Sequence, residues 1–172
     1  MNIELKKIYF SERLSEETNA FTAELYVDGK KLCYVKNDGQ GGSTDYHVCD
    51  SKNSNKLKEV EAYCKSLPKL DLGSFKLDMN LEHKIDTLFE QWLKEKDSAK
   101  FNKKLEKDCL KGICVKSDNG YSMLQWKGFT IEQVLKHPQG KSMIKTQLDK
   151  LKGEGKVVLN KNIPQELFGI LK

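Results

Sequence analysis

Residues 37 to 47 read Asn-Asp-Gly-Gln-Gly-Gly-Ser-Thr-Asp-Tyr-His, and no other stretch of the 172-residue chain gathers so many groups able to do chemistry. Gly39, Gly41 and Gly42 permit left-handed backbone and close approach to a ligand, and their N–H groups can form an anion-cradling nest. Ser43 and Thr44 add hydroxyl donors, Asp38 and Asp45 can accept ribose hydroxyls, Tyr46 can stack on a base, and His47 can supply a proton or a hydrogen bond. This is the composition of a nucleotide or sugar-phosphate site. The candidate ligand-binding residues are Asn37, Asp38, Gly39, Gly41, Gly42, Ser43, Thr44, Asp45, Tyr46 and His47. The same stretch also reads as a glycine-rich connection whose Asp, Ser and Thr side chains satisfy local backbone groups. Where it rejoins a strand, Asp45 and His47 should point to one side and Tyr46 to the other.

Motifs that would make the site an enzyme are missing. There is no Walker loop at 37 to 47 and no GxGxxG spacing. Gly140-Lys141-Ser142 invites a P-loop reading, but Leu135 stands where the other glycine belongs, so the triplet is expected to be a helix start. No GxSxG elbow is present, and His47, His83 and His137 are the only histidines available to partner a nucleophile. We therefore assign no catalytic residue, no metal ligand and no cofactor. A metal-dependent phosphodiesterase built on Asp38, Asp45 and His47 remains the enzymatic alternative.

Thirty Lys and Arg stand against 25 Asp and Glu, a formal charge of +5. Almost all of that base is lysine, with Arg13 the only arginine, and arginine is the residue whose fork reads guanine edges. Sequence-specific DNA recognition is disfavoured, while diffuse phosphate attraction is not. The five cysteines at 33, 49, 64, 109 and 114 contain no CxxC pair and read as reduced thiols acting as small hydrophobes, with His47 and Cys49 the one close His/Cys pair. No apolar run approaches the length of a membrane span and no secretory h-region opens the chain, so the expected compartment is the cytoplasm.

The elements that must carry these residues follow from hydrophobic period and turn chemistry. Ile3 to Phe10 reads as a strand and Ser11 to Thr18 as a loop. Phe21, Ala23, Leu25 and Val27 alternate, and Asp28-Gly29 is a favoured type I′ pair, predicting a hairpin of 19 to 27 with 30 to 36. Tyr46 to Cys49 is a further strand. Leu57, Val60, Cys64 and Leu67 mark a helix stopped by Pro68. From Asn80, a plausible N-cap, to Lys107 the stripe Leu81, Ile85, Leu88, Phe89, Trp92 and Leu93 predicts one bent helix or two, broken near Asp97-Ser98. Gly112 to Lys116 and Tyr121 to Trp126 form a second hairpin signalled by Asn119-Gly120. Thr130 and Gln133 suit a capping box, Ser142 to Leu151 a helix, Val157 to Leu159 a strand, and Leu167, Phe168, Ile170 and Leu171 a final helical turn.

This order predicts an α+β fold: an N-terminal antiparallel β-meander plus helix, then a mainly helical half with a second β-hairpin. The expected division is 1–68, a joint at 69–79, and 80–172 with its hairpin at 112–126, together one compact two-lobed unit. Trp92 and Trp126 read as core, while Tyr9, Tyr26, Tyr34 and Tyr46 can cluster on the N-terminal sheet as a stacking face.

The run from Phe21 to Lys31, the stretch Asn37 to His47, and the tail residues Gly155 to Asn160 with Ile163-Pro164 resemble uncharacterised proteins carried by phages and mobile elements of gut bacteria. The likeness covers the first third and the tail and brings no characterised active site. It implies an accessory protein acting on a host process or defence in the host cytoplasm. Together these readings lead us to expect a non-enzymatic binding protein that captures a phosphate-bearing small ligand, such as a nucleotide immune signal. A protein-protein inhibitor of a host factor is the rival. The expected partners are a nucleotide-like small molecule or a host protein, with no membrane, and homo-oligomerisation is compatible with the sequence.

Overall fold

In the computed structural model, which describes residues 1–169, the chain is α+β and packs as two units, Met1–Glu95 and Lys96 onward. Residues 69–79 lie inside the first unit, and the division falls within a helix. Among the described residues no helix is long and apolar enough to cross a membrane.

The first unit is built on an antiparallel meander of β1 (Ile3–Phe10), β2 (Phe21–Val27), β3 (Lys30–Asn37) and β4 (Asp45–Val48), in that order. Asp28 (φ 48°) and Gly29 (φ 79°) both adopt left-handed backbone between β2 and β3, as a type I′ turn demands. In β1 the inward residues change parity, from Ile3 and Leu5 to Ile8 and Phe10. Strand geometry allows that only if one residue is added, and the pairing with β2 is interrupted between Lys6 and Tyr9, where Lys7 takes φ 48°.

Helix α1 (Ser54–Lys65) buries Val60 and Cys64 in the core beneath the sheet, and a short pair, β5 (Leu70–Asp71) with β6 (Lys76–Leu77), follows it. Helix α2 (Leu81–Lys111) then begins with Asn80 accepting from the His83 N–H at 2.7 Å. The break expected near Asp97-Ser98 is absent. Both residues are exposed and the helix contains neither Gly nor Pro, so nothing in it disrupts the backbone ladder. Leu81, Ile85 and Phe89 close the core of the first unit, with Phe89 stacked on Phe21 at 3.9 Å between ring centroids.

The second unit contains the end of α2, the hairpin β7 (Gly112–Ser117) with β8 (Gly120–Gln125), α3 (Ile131–Lys136) and α4 (Gly140–Gly153). Ser117 pairs directly with Gly120, so the central turn residues are Asp118 and Asn119, one position earlier than Asn119-Gly120. The Thr130/Gln133 capping box is present in both directions. α4 starts at Gly140, two residues sooner than its apolar spacing suggests. Val157 to Leu159 forms only an isolated antiparallel bridge, Val115 to Val158, rather than a full strand. Gln165–Phe168 is a 3-10 turn, and the expected contributions of Ile170 and Leu171 lie outside the described residues. Ile113, Val115, Ile131, Val134, Ile144, Leu148 and Leu151 make the core, with Trp126 half-buried against it.

Cys33, Cys64, Cys109 and Cys114 are buried and Cys49 is exposed, all as free thiols. Burial pushes the thiols of Cys33 and Cys114 up to about 12. One thiol of the native protein is therefore expected to react promptly with an aqueous disulfide reagent and the other four only on unfolding, since the thiolate is the reactive form. Thiol titration with and without denaturant checks this, and a second fast thiol would contradict the burial.

Candidate functional site

The 37 to 47 segment is held from within. Asn37, buried at the end of β3, accepts from the Gly39 N–H at 2.8 Å and the Thr18 hydroxyl at 3.0 Å, and donates to the Gly42 carbonyl at 3.2 Å and Thr44 Oγ1 at 3.0 Å. Gly39 (φ 87°) is buried, and its carbonyl accepts from the N–H groups of Glu16, Glu17 and Thr18. A Cβ there would lie 2.3 Å from the Leu14 carbonyl oxygen, so this glycine is required by packing. Gly41, Gly42 and Ser43 are exposed, and a Cβ on Gly42 would meet open space. Asp38 pairs with Lys36 at 2.6 Å, and Asp45 lies across from Lys36 in the β3/β4 register.

β4 alternates as its period requires: Asp45 and His47 are exposed while Tyr46 turns toward the core, its hydroxyl donating to Glu61 at 3.0 Å. Burial, reinforced by that bond, pushes the Tyr46 phenol up to about 12. Tyr46 thus leaves the expected tyrosine cluster. Tyr9 and Tyr34 are exposed, Tyr34 carries the Lys31 ammonium 3.8 Å from its ring centre, and Tyr26 donates to Glu24. Among the described residues no three His, Cys, Asp or Glu side chains are grouped to hold a metal ion.

Beside this segment lies a cleft of about 290 Å³ walled by Glu17, Glu82, Asp86 and Glu90. The last three recur every fourth residue on α2 and so share a helix face. Thr44, buried, links the segment to that face: its hydroxyl donates to Asp86 at 2.6 Å and its N–H to Glu82 at 3.1 Å. Four carboxylates suit a cation or an amine and oppose a phosphate. Asp86 is held above the ordinary carboxylate range, mainly by burial; the Thr44 bond and His83 pull it down, while the Glu82 and Glu90 charges push it up.

A carboxyl whose folded pKa exceeds its unfolded value contributes stability below the unfolded value and loses it as pH rises through the folded one. Asp86→Asn keeps the acceptor for Thr44 and removes the charge. It is expected to be more stable than the wild-type protein at pH 7, with the difference vanishing below about pH 3.8. Urea denaturation at the two pH values measures this, and a variant no more stable at pH 7 would contradict it.

Charge is divided unevenly along the chain. Residues 1–95 carry 14 Lys and Arg against 17 Asp and Glu, whereas 96–172 carry 16 Lys against 8 Asp and Glu. Within the second unit, Lys96, Lys100, Lys103, Lys104, Lys107 and Lys111 of α2 are all exposed. Their spacings of 4, 3, 1, 3 and 4 place them on one helix face about 22 Å long. Phe101, Leu105 and Cys109 recur on the opposite side, where Phe101 meets Tyr121 edge-on at 5.6 Å and Cys109 is buried. Of the six lysines, Lys111 approaches Asp108 at 3.8 Å, while Lys100, Lys103, Lys104 and Lys107 form no ion pair among the described residues.

Both stripes escape a reading that counts net charge. The signal that finds them is the helical repeat of like charges, acidic at 82, 86 and 90 and basic from 96 to 111. Comparison with protein-family models, with curated proteins and with solved structures returned no match.

Proposed function

We propose that the chain is a binding protein that grips a phosphate-bearing polyanion through the lysine face of α2 in its second unit. The observation that carries this reading is the run of six exposed lysines on one face of a helix whose other side holds Phe101 against Tyr121 and the buried Cys109. Such a face meets a phosphate backbone as a row of point charges, and release of condensed counterions supplies the affinity. Lysine without arginine favours sequence-tolerant contact. Capture of a small phosphate-bearing ligand at 37 to 47 is the second reading. It rests on the exposed Gly41, Gly42 and Ser43, and it has to overcome the carboxylates around the cleft.

The test is fluorescence anisotropy of labelled oligonucleotides between 50 and 300 mM salt, run beside calorimetry with a nucleotide panel. Oligonucleotide affinity is expected to fall steeply with salt. Lys103→Gln/Lys104→Gln/Lys107→Gln should weaken binding on every sequence and lower the salt slope by about one per contacting lysine. No oligonucleotide binding at the lowest salt would overturn the proposal, and nucleotide binding lost in His47→Ala would move the function to the 37 to 47 segment.

A further inference from the structure

We infer that α3, the turn His137 to Gln139 and α4 form a helix-turn-helix whose α4 enters the major groove of double-stranded DNA. This rests on the polyanion reading and adds to it a second surface and a particular partner. The two helices share one core through Ile131, Val134, Ile144 and Leu148, and a three-residue turn joins them. Their backbones meet at Gly140, which is buried: a Cβ there would fall 1.5 Å from the Val134 carbonyl oxygen. The Gly140 N–H also donates to the His137 carbonyl at 2.9 Å. Only glycine permits this approach, so the junction of α3 and α4 leaves no room for a side chain at position 140.

The outward side of α4 has what a groove-entering helix needs. Gly140, Ile144, Leu148 and Leu151 point into the core, which leaves Ser142, Thr146 and Asp149 on the crest, all exposed. Along one flank run Lys141, Lys145 and Lys152, exposed and spaced by four and seven residues, a stripe about 16 Å long. Lys141 approaches Glu166 at 3.7 Å, while Lys145 and Lys152 form no ion pair among the described residues. Small hydroxyl side chains on the crest let the helix sink between phosphate walls that the flanking lysines can reach, and Asp149 is the acidic side chain it brings along.

B-form DNA admits an α-helix to its major groove, whereas the major groove of A-form RNA is too deep and narrow for side chains to read. The absence of arginine from residues 96–172 removes the usual reader of guanine. Binding should therefore select duplex form and tolerate sequence.

The experiment measures anisotropy of the full chain on a 24-base-pair DNA duplex, an RNA duplex of the same sequence and the single strand, at 100 mM salt. The DNA duplex is expected to bind at least tenfold tighter than either competitor. Lys145→Glu/Lys152→Glu should remove most of that preference while the weaker RNA binding persists through the α2 lysines. Thr146→Glu, an exposed crest substitution that leaves the lysines intact, should do the same, and unchanged thermal unfolding of both variants establishes that they fold. Equal affinity for DNA and RNA duplexes, or full DNA affinity in both variants, would overturn the inference and leave the α2 reading standing. Failure of the wild-type protein to bind any of the three would sink the α2 reading itself.

Discussion

Asn160→Ala is expected to destabilise the second unit by about 2 to 4 kcal/mol, because buried partners of one side chain lose their bonds together. The bridge between β7 and Val157–Leu159 has two backbone rungs, Lys116 N–H to the Val157 carbonyl at 2.9 Å and Leu159 N–H to the Cys114 carbonyl at 2.8 Å. The chain then turns away, and the side chain of Asn160, buried, stands where the next rung would be. Its Oδ1 accepts from the Cys114 N–H at 2.7 Å, and its Nδ2 donates to the carbonyls of Cys109 at 3.0 Å and Gly112 at 2.9 Å. Cys109 keeps a second donor in Asn162, but the N–H of the buried Cys114 would lose its Asn160 acceptor. Asn160→Asp makes a useful companion: it keeps the acceptor for Cys114 and sets a carboxylate against two carbonyls, so it should be no better than alanine. Chemical denaturation of both variants gives the values, and a loss below about 1 kcal/mol in Asn160→Ala would mean that the surroundings replace these bonds.

Gly140→Ala sets two effects of opposite sign against each other. Alanine is favoured over glycine in a helix by about 1 kcal/mol. Its methyl would overlap the Val134 carbonyl oxygen, and because both atoms are tied to backbone, no rotamer relieves the clash. Forcing the helices apart costs about 1 to 3 kcal/mol in lost packing against Val134, Ile144 and Leu148, so the substitution should be net destabilising. Gly153→Ala, at the far end of the same helix with open space around its Cβ, lacks the second effect and should be neutral or stabilising. If both variants melt together above the wild-type protein, the junction of the two helices has room for a methyl group and close approach does not exclude alanine.

Much of the fold was legible because it is local. Asp28-Gly29 announced its turn by chemistry that only left-handed backbone can use, and Thr130 with Gln133 announced a helix start by reciprocal hydrogen bonds. The continuity of α2 is written in the absence of Gly and Pro from residues 81–111, which outweighs the polarity of Asp97-Ser98. The partners of the 37 to 47 segment were not. Asn37 spends its amide on Thr18, Gly39, Gly42 and Thr44, and Thr44 meets Asp86 across 42 residues of sequence. Composition reveals that such a segment is unusual, but only the packing reveals that carboxylates from α2 stand over it. The lysine face is hidden for a different reason: a charge total has no direction, and the face exists only once the residues are wound onto a helix.

The bulge in β1 makes the integrity of that strand a matter of counting. With the extra residue at Lys7, Ile3, Leu5, Ile8 and Phe10 all reach the core, and Phe10 meets Phe89 at 5.8 Å between ring centroids. Were the same residues paired without that bulge, either the first pair or the second would face solvent, whereas loss of a single codon at position 7 would restore ordinary pleating and keep all four on the core face. Glycine or asparagine at that position, being at ease in left-handed backbone, would keep the register intact. What the extra residue supplies is therefore a bend and a sharper twist in the strand, while the inward face is written in the spacing of its apolar residues.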